Sequence, residues 1–344
     1  ASYNALFPFE KKTSRYFCQK WRSPVVGRKA DTAGTHSGVS PDLLYPLAPT
    51  SRINPFSLSL QARKERCNWV VRTVWLSSLA SGTPYTRDEM GHRGPTLPSK
   101  QYVSILSQNL RGFNNAKEAE LILRLTERKI WAACLQETWR HGDGVHRNEG
   151  FTFLEHGLAE KVCRRGSQGV AIVLSPDARK AWERAGSLRM TFGERILATR
   201  LIVLDSQKRP LTIFLVSAYA PDSSRPVEEH EAYANNLQRC FQACGNAILV
   251  TGTDANASIG VRSQHDDRET PGYRVCGQHG IAWENAAGQR LRSLLGAHEL
   301  SAATTFFRRT AKGGHASPYD TWHHFRTGRP YQLDHFFVKQ KDMK

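Results

Sequence analysis

Residues 248–257, Ile-Leu-Val-Thr-Gly-Thr-Asp-Ala-Asn-Ala, constrain the fold more than any other stretch of this chain. Four apolar or β-branched residues in succession read as a buried strand, and the glycine after them is expected to turn the backbone sharply at the strand's end. Asp254 and Asn256 follow, two residues apart. In extended geometry such residues share a face, so both are expected to project from the lip of a sheet, where α/β proteins hold their ligands. A carboxylate beside a carboxamide supplies one hard anionic oxygen and one group that both donates and accepts, a pair suited to a phosphoryl centre beside a divalent cation. The same spacing also closes ordinary strand ends as an Asx turn.

From residue 102 onward the text alternates apolar runs with amphipathic periodicity, the signature of a layered α/β domain. Strands are expected at 103–108, 131–135, 169–174, 196–204, 211–218 and 332–338, with Ser175-Pro176-Asp177 closing the third. Helices are expected at 116–129, where Ala119, Ile122, Leu123 and Thr126 share a face, at 227–244, and at 283–298. Residues 1–100 read differently. They hold more than half of the prolines and roughly half of the net positive charge, in a Ser-, Arg- and Pro-rich text. A basic, largely disordered tail is expected there, because such a segment buries too little to offset its ordering entropy. Its one patterned piece, 61–79, could form a short helix or strand.

The chain has 344 residues and a formal net charge of +17, which points to a polyanionic partner: nucleic acid first, an anionic membrane surface second. Seven cysteines, an odd number without a C-x-x-C pair, read as reduced thiols of an intracellular protein, the nucleus included. No apolar run approaches the roughly 18 residues that span a bilayer, the best candidate being interrupted by Arg72.

The strand ends carry Asn109, Glu137, Tyr219, Asp254, Asn256 and Asp334, each in a polar triplet interrupting an apolar run. The ordered motifs are Gln108-Asn109-Leu110-Arg111-Gly112, Leu135-Gln136-Glu137-Thr138, Ala218-Tyr219-Ala220-Pro221, Gly252-Thr253-Asp254-Ala255-Asn256-Ala257, Thr321-Trp322 and Gln332-Leu333-Asp334-His335. This set resembles the endonuclease/exonuclease/phosphatase superfamily, and within it the apurinic-like endonuclease domains of non-LTR retrotransposons. The resemblance runs from about residue 102 to 338. It implies a DNase I-like α/β fold, a four-layered sandwich of two mixed β-sheets with helices on the outer faces, spanning 101–344. It also implies Mg²⁺-dependent phosphodiester hydrolysis, with Mn²⁺ as the alternative ion.

By that resemblance Glu137 is the principal metal ligand, and Asn109 belongs to the same metal and phosphate shell. Asp254 positions or deprotonates the attacking water, Asn256 holds a phosphate oxygen, Tyr219 hydrogen bonds the scissile phosphate, and Asp334 orients a histidine. Magnesium needs one or two carboxylates plus waters, and a neutral amide stabilises phosphoryl charge without repelling it. The sequence departs from the pattern by an extra threonine, Thr253, and by stopping before the family's terminal Ser-Asp-His, so the chain is read as C-terminally incomplete, with a reverse transcriptase domain expected downstream in the intact product. His335 is expected to be structural, and His315, His323 and His324 are the nearest substitutes for the missing histidine. DNA is the expected substrate. The alternatives are an impaired nucleic-acid-binding relic, or a hydrolase of the same fold acting on RNA or on a phospholipid or inositol phosphate. Substrate preference is expected to lie in loops such as 141–147 and 263–280.

Overall fold

The computed structural model describes the backbone of residues 17–20, 68–75 and 102, and residues 103–159, 168–205, 208–263, 272–308, 319–324 and 326–343 in full. In chain order the elements are β1 (Phe17–Lys20), β2 (Asn68–Trp75), β3 (Tyr102–Asn109), α1 (Asn115–Glu127), β4 (Ala132–Gln136), β5 (Asp143–Asn148), β6 (Phe151–His156) and β7 (Val170–Leu174). Then come α2 (Pro176–Arg184), β8 (Arg189–Thr191), β9 (Ile196–Leu204), β10 (Pro210–Tyr219), α3 (Val227–Cys244) and β11 (Ile248–Asp254). The chain continues through α4 (Ala286–Ala297), β12 (Leu300–Ala302), β13 (Trp322–His323), β14 (Pro330–Tyr331) and β15 (Asp334–Lys339).

Two mixed sheets result, ordered β1-β2-β3-β4-β7-β6-β5 and β12-β15-β11-β10-β9-β8, while β13 and β14 form a small separate hairpin. Each large sheet contains one parallel pair, β3 with β4 and β10 with β11, and each pair is joined through a helix, α1 or α3. Parallel strands end at the same edge, so these two crossover units deliver four strand ends to one lip.

Period-2 alternation decides the layers. Along β10, Ile213 and Leu215 face the inter-sheet core with Ile105, Ile172, Leu201 and Phe336, whereas Phe214 and Val216 face outward onto Leu237 and Phe241 of α3. On the other sheet Leu106, Leu135 and Val173 face outward onto Leu121, Ile122 and Leu125 of α1. This is the four-layered sandwich expected from the sequence. No helix of the described residues is long and apolar enough to cross a membrane.

A polar clip crosses the apolar inter-sheet layer. The Gln136 side chain is fully buried, and its Nε2, with two protons to give, lies within hydrogen-bond reach of Ser107 Oγ at 3.2 Å, Ser217 Oγ at 3.3 Å and the Gly252 carbonyl at 3.2 Å. Those partners sit two residues before Asn109, Tyr219 and Asp254, so the clip lies directly beneath the strand ends.

Five expectations need correction. Helix α1 buries Leu121, Ile122 and Leu125; of the expected face Ala119, Ile122, Leu123 and Thr126 only Ile122 is buried, and the other three are exposed. Gly252 does not turn the chain; it lies inside β11, and a Cβ there would stand 2.8 Å from Cys134 Cβ and 3.0 Å from Ser107 Cβ. It is glycine because the two sheets approach most closely at this point. Ser175-Pro176-Asp177 opens α2 as well as closing β7: the Ser175 hydroxyl accepts the Ala178 N–H at 3.3 Å, and Pro176 takes the first helical position. The helix expected from 283 begins only at Ala286, because Asn285 caps it by accepting the Gly288 N–H at 2.7 Å. The segment 141–147 is not all loop, since Asp143–Asn148 is the edge strand β5, paired to β6 through a Glu149-Gly150 turn with both residues at positive φ. Asn68–Trp75 is a strand paired antiparallel with β3. Apart from β1 and β2, the tail expected over 1–100 lies outside the described residues, as do residues 264–271 of the 263–280 loop.

Candidate active site at the strand ends

Register brings the second sheet's residues together. Tyr219 pairs with Asp254 across β10 and β11, and Asp254 pairs with Asp334 across β11 and β15, so the three stand in one row at the lip. Two carboxylates directly opposite one another repel, and a sheet carries such a pair only when something else requires it. In the first sheet Asn109 pairs with Gln136, the residue before Glu137. The loops after β3 and β4 are zipped together by Leu110 N–H to the Gln136 carbonyl at 2.9 Å, Gly112 N–H to the Glu137 carbonyl at 2.7 Å and Phe113 N–H to the Thr138 carbonyl at 2.8 Å.

The two sheets meet through Asn109. Its Nδ2 donates to Glu137 Oε1 at 2.5 Å and to Asp254 Oδ2 at 2.8 Å, joining residues 145 positions apart in the chain. Its Oδ1 accepts the Arg111 N–H at 3.1 Å. Asn256 reaches the same site by a different route from the extended one expected. β11 ends at Asp254, and Asn256 adopts φ +45°, donating its N–H to Asp254 Oδ1 at 3.1 Å and its Nδ2 to the Ala220 carbonyl at 2.8 Å. The Asx turn and the site therefore coincide. Glu137 too is left-handed, at φ +50°, a conformation that costs a non-glycine residue on the order of 1 kcal/mol and persists only where hydrogen bonds on both sides enforce it.

Asn109, Glu137, Tyr219, Asp254, Asn256 and Asp334 all line one pocket of about 510 Å³. Burial raises the Asp254 carboxyl to about 6, with the Glu137 charge adding to it and the Asn109 hydrogen bond opposing. Burial also holds Asp334 well above the aspartate range, assisted by the Asp254 charge and opposed by the Thr321 hydroxyl. Tyr219 is raised by burial and by the Glu137 and Asp254 charges, so its phenol stays a hydrogen-bond donor at neutral pH. Burial and mutual repulsion together disfavour the ionised forms of these carboxyls, and a nearby cation would favour them. Among the described residues no three His, Cys, Asp or Glu side chains form a ready-made cage. Glu137 and Asp254, joined by Asn109, are the donors here that could hold a hydrated divalent ion, since magnesium takes one or two carboxylates and keeps several waters.

Several lining residues carried no expected role in the site, although Trp322 stands in the Thr321-Trp322 motif. Trp283, Trp322 and Tyr331 form an aromatic wall, with Tyr331 edge-on to Trp283 at 5.0 Å and to Trp322 at 5.2 Å, and the Arg329 guanidinium lies 4.2 Å over the Trp283 ring. Beyond that motif little in the sequence marks the wall, because Trp283 falls at the start of an expected helix and β13 and β14 are two residues each. Thr321 holds this wall to the site by accepting the Leu333 N–H at 2.8 Å. Of the three substitute histidines, His324 lines the pocket, with its Nδ1 accepting the N–H groups of Arg326 and Thr327 at 3.3 Å each. His323 is exposed and pairs with Asp320, and His315 lies outside the described residues. His335 is buried in the core: Nε2 donates to the Gln332 carbonyl and Nδ1 accepts from the Thr304 hydroxyl.

No protein-family model and no curated protein matches the chain. Among solved structures, the chain is similar to an AP endonuclease (LMAP) from Leishmania major at 16% identity and a TM-score of 0.48, over 68% of this chain and 78% of that one. It is also similar to the APE2 catalytic domain of Xenopus laevis, at 16% identity and 0.46, over 69% and 82% of the two chains. A third is the 3′-5′ exonuclease NExo of Neisseria meningitidis, at 15% identity and 0.43, over 69% and 87%.

Proposed function

We propose that this chain is a Mg²⁺-dependent phosphodiester hydrolase acting on nucleic acid, DNA in the first place, of the retroelement endonuclease type. The observation that carries the reading is the convergence of Asn109, Glu137, Tyr219, Asp254, Asn256 and Asp334, drawn from both sheets, on one pocket. Glu137 and, through hydrogen bonds, Asn109 would hold the ion, with Mn²⁺ as a substitute. The bound cation would supply Lewis-acid polarisation of the phosphoryl group. Asp254, whose proton affinity lies near neutrality, would orient and deprotonate the attacking water. The Tyr219 hydroxyl and the Asn256 amide would hold phosphate oxygens, and Asp334 would orient a histidine.

The aromatic wall favours a nucleic-acid substrate over a phospholipid or inositol phosphate, since stacked bases present π-faces that such a surface accepts without regard to sequence. The formal net charge of +17 supports the same partner. The test is nicking of supercoiled plasmid by the full chain with Mg²⁺ and with EDTA, alongside a mobility-shift assay. Mg²⁺-dependent nicking is the expected result. A shift without nicking under both conditions would identify a binding relic.

A further inference from the structure

We propose that Arg111 is an additional phosphate-binding residue of this pocket, its guanidinium receiving a non-bridging oxygen of the substrate phosphodiester; the inference rests on the hydrolase reading above and extends its set of site residues. Among the described residues lining the pocket, Arg111 is the one Lys or Arg, facing the carboxyls of Glu137, Asp222, Asp254 and Asp334. A phosphodiester brings a further negative charge into that set. A divalent ion would offset only part of that negative charge, and a fixed cation beside it would offset more.

The side chain is available for that role. Among the described residues its guanidinium makes no hydrogen bond and no ion pair; the contacts of Arg111 are made by its backbone, with the N–H donating to Asn109 Oδ1 at 3.1 Å and the carbonyl accepting from Lys117 Nζ at 3.2 Å. A planar fork of five donors on a residue that lines the pocket, its charge felt by Asp254 and Asp334 and its hydrogen-bonding capacity unspent among the described residues, matches the oxygens of a phosphate.

The backbone is built to keep it there. Arg111 stands at φ +50°, a conformation unfavourable for a residue with a Cβ. Lys117, from the first turn of α1, spreads its ammonium over three successive carbonyls of the loop, those of Leu110 at 2.8 Å, Arg111 at 3.2 Å and Gly112 at 2.9 Å. An ammonium donating three hydrogen bonds satisfies every proton it has, so the loop's shape is fixed. The Arg111 charge also works against burial at Asp254 and Asp334, favouring their ionised forms. A role confined to that neutralisation is the competing account.

The experiment uses the full chain as parent, Arg111→Ala, Arg111→Lys and, as a surface control, Arg179→Ala. The first readout is affinity for a fluorescent tetranucleotide with Ca²⁺ in place of Mg²⁺, as a function of salt. Arg111→Ala should bind about 10- to 100-fold more weakly, the range for losing a hydrogen bond to a charged group, and its log K against log salt slope should shrink by about 0.7. Arg111→Lys should recover part of the affinity, and Arg179→Ala should match the parent. The second readout is Mg²⁺-dependent cleavage, where Arg111→Ala should be slow and methylguanidinium added to the buffer should restore rate. Unchanged tetranucleotide affinity and salt slope in Arg111→Ala would overturn the proposal, whatever the cleavage assay gives. A parent that binds but does not cleave would instead refute the hydrolase reading, and the affinity contrast would still decide the role of Arg111.

Discussion

At the scale of single residues, the chemistry of the lip and that of the core separate cleanly in adjacent positions. Asp334 faces the pocket, and its neighbour His335 is fully enclosed, where burial lowers its proton affinity from the ordinary 6.5 to about 4. The sign follows from linkage. The unfolded chain takes up a proton at this histidine as pH falls through 6.5, whereas the folded chain resists until about 4, so stability is lost across that window as the solution is acidified, by up to about 3 kcal/mol. Replacing the ring removes this dependence. Thermal melts of parent and His335→Gln between pH 7.5 and 4.5 should show the variant less stable at the upper end and the difference narrowing as pH falls; a constant difference would mean that His335 is not buried neutral. A second residue-scale expectation concerns Asn109, whose amide nitrogen bridges Glu137 and Asp254. Asn109→Asp places a third carboxylate between the two, and the apparent affinity for Mg²⁺ and the pH profile of cleavage should both shift, whereas Asn109→Leu should lower the rate without creating a new ionisation.

At the scale of elements, the register of β3, β4, β10 and β11 sets the site, and that register is held by Gln136 and by the lack of a side chain at Gly252. Gly252→Ala would push a methyl group against Cys134 and Ser107. The expected cost is about 1–3 kcal/mol in unfolding free energy, with a loss of cleavage larger than stability alone explains, because Asp254 lies two residues on. Chemical denaturation and single-turnover rates, measured on the same preparation, check both halves; full activity in a destabilised variant would show that sheet spacing does not position Asp254. The elements differ in how far they could be read ahead of the structure. Val227–Cys244 and Ile196–Leu204 were legible to the residue, because apolar periodicity runs their whole length and polar text brackets them. β5 was not, because an edge strand with alternating half-exposed residues, Asp-Gly-Val-His-Arg-Asn, buries no apolar face. Helix α2 was hidden by a proline that reads equally as a stop for β7 and as the first residue of a helix. The six strand-end residues were legible because polar triplets interrupt buried runs. Arg111 and the aromatic wall were missed since their placement depends on a left-handed backbone and on a hairpin of two-residue strands, neither of which leaves a periodic trace.

At the scale of the whole molecule, the account is of two crossover units packed face to face so that their carboxyl ends share one rim. β2 bears on where that unit begins. It pairs along the length of β3, so a chain starting at residue 101 leaves the β3 edge open to intermolecular pairing. Such a chain should aggregate more readily by light scattering than the full chain, which keeps β1 and β2 on that edge; equal behaviour would show that they are dispensable to the sheet. The central claim, that side chains from both sheets form one metal-dependent phosphodiester site, is tested most directly by the single-turnover nicking rate of supercoiled plasmid as a function of Mg²⁺ concentration for the parent and for Glu137→Gln. Removing the principal ligand's charge should lower the saturating rate on the order of 10²-fold or more and move the Mg²⁺ midpoint upward, while plasmid affinity is retained. A Glu137→Gln chain that nicks like the parent, with the same Mg²⁺ midpoint, would contradict the account.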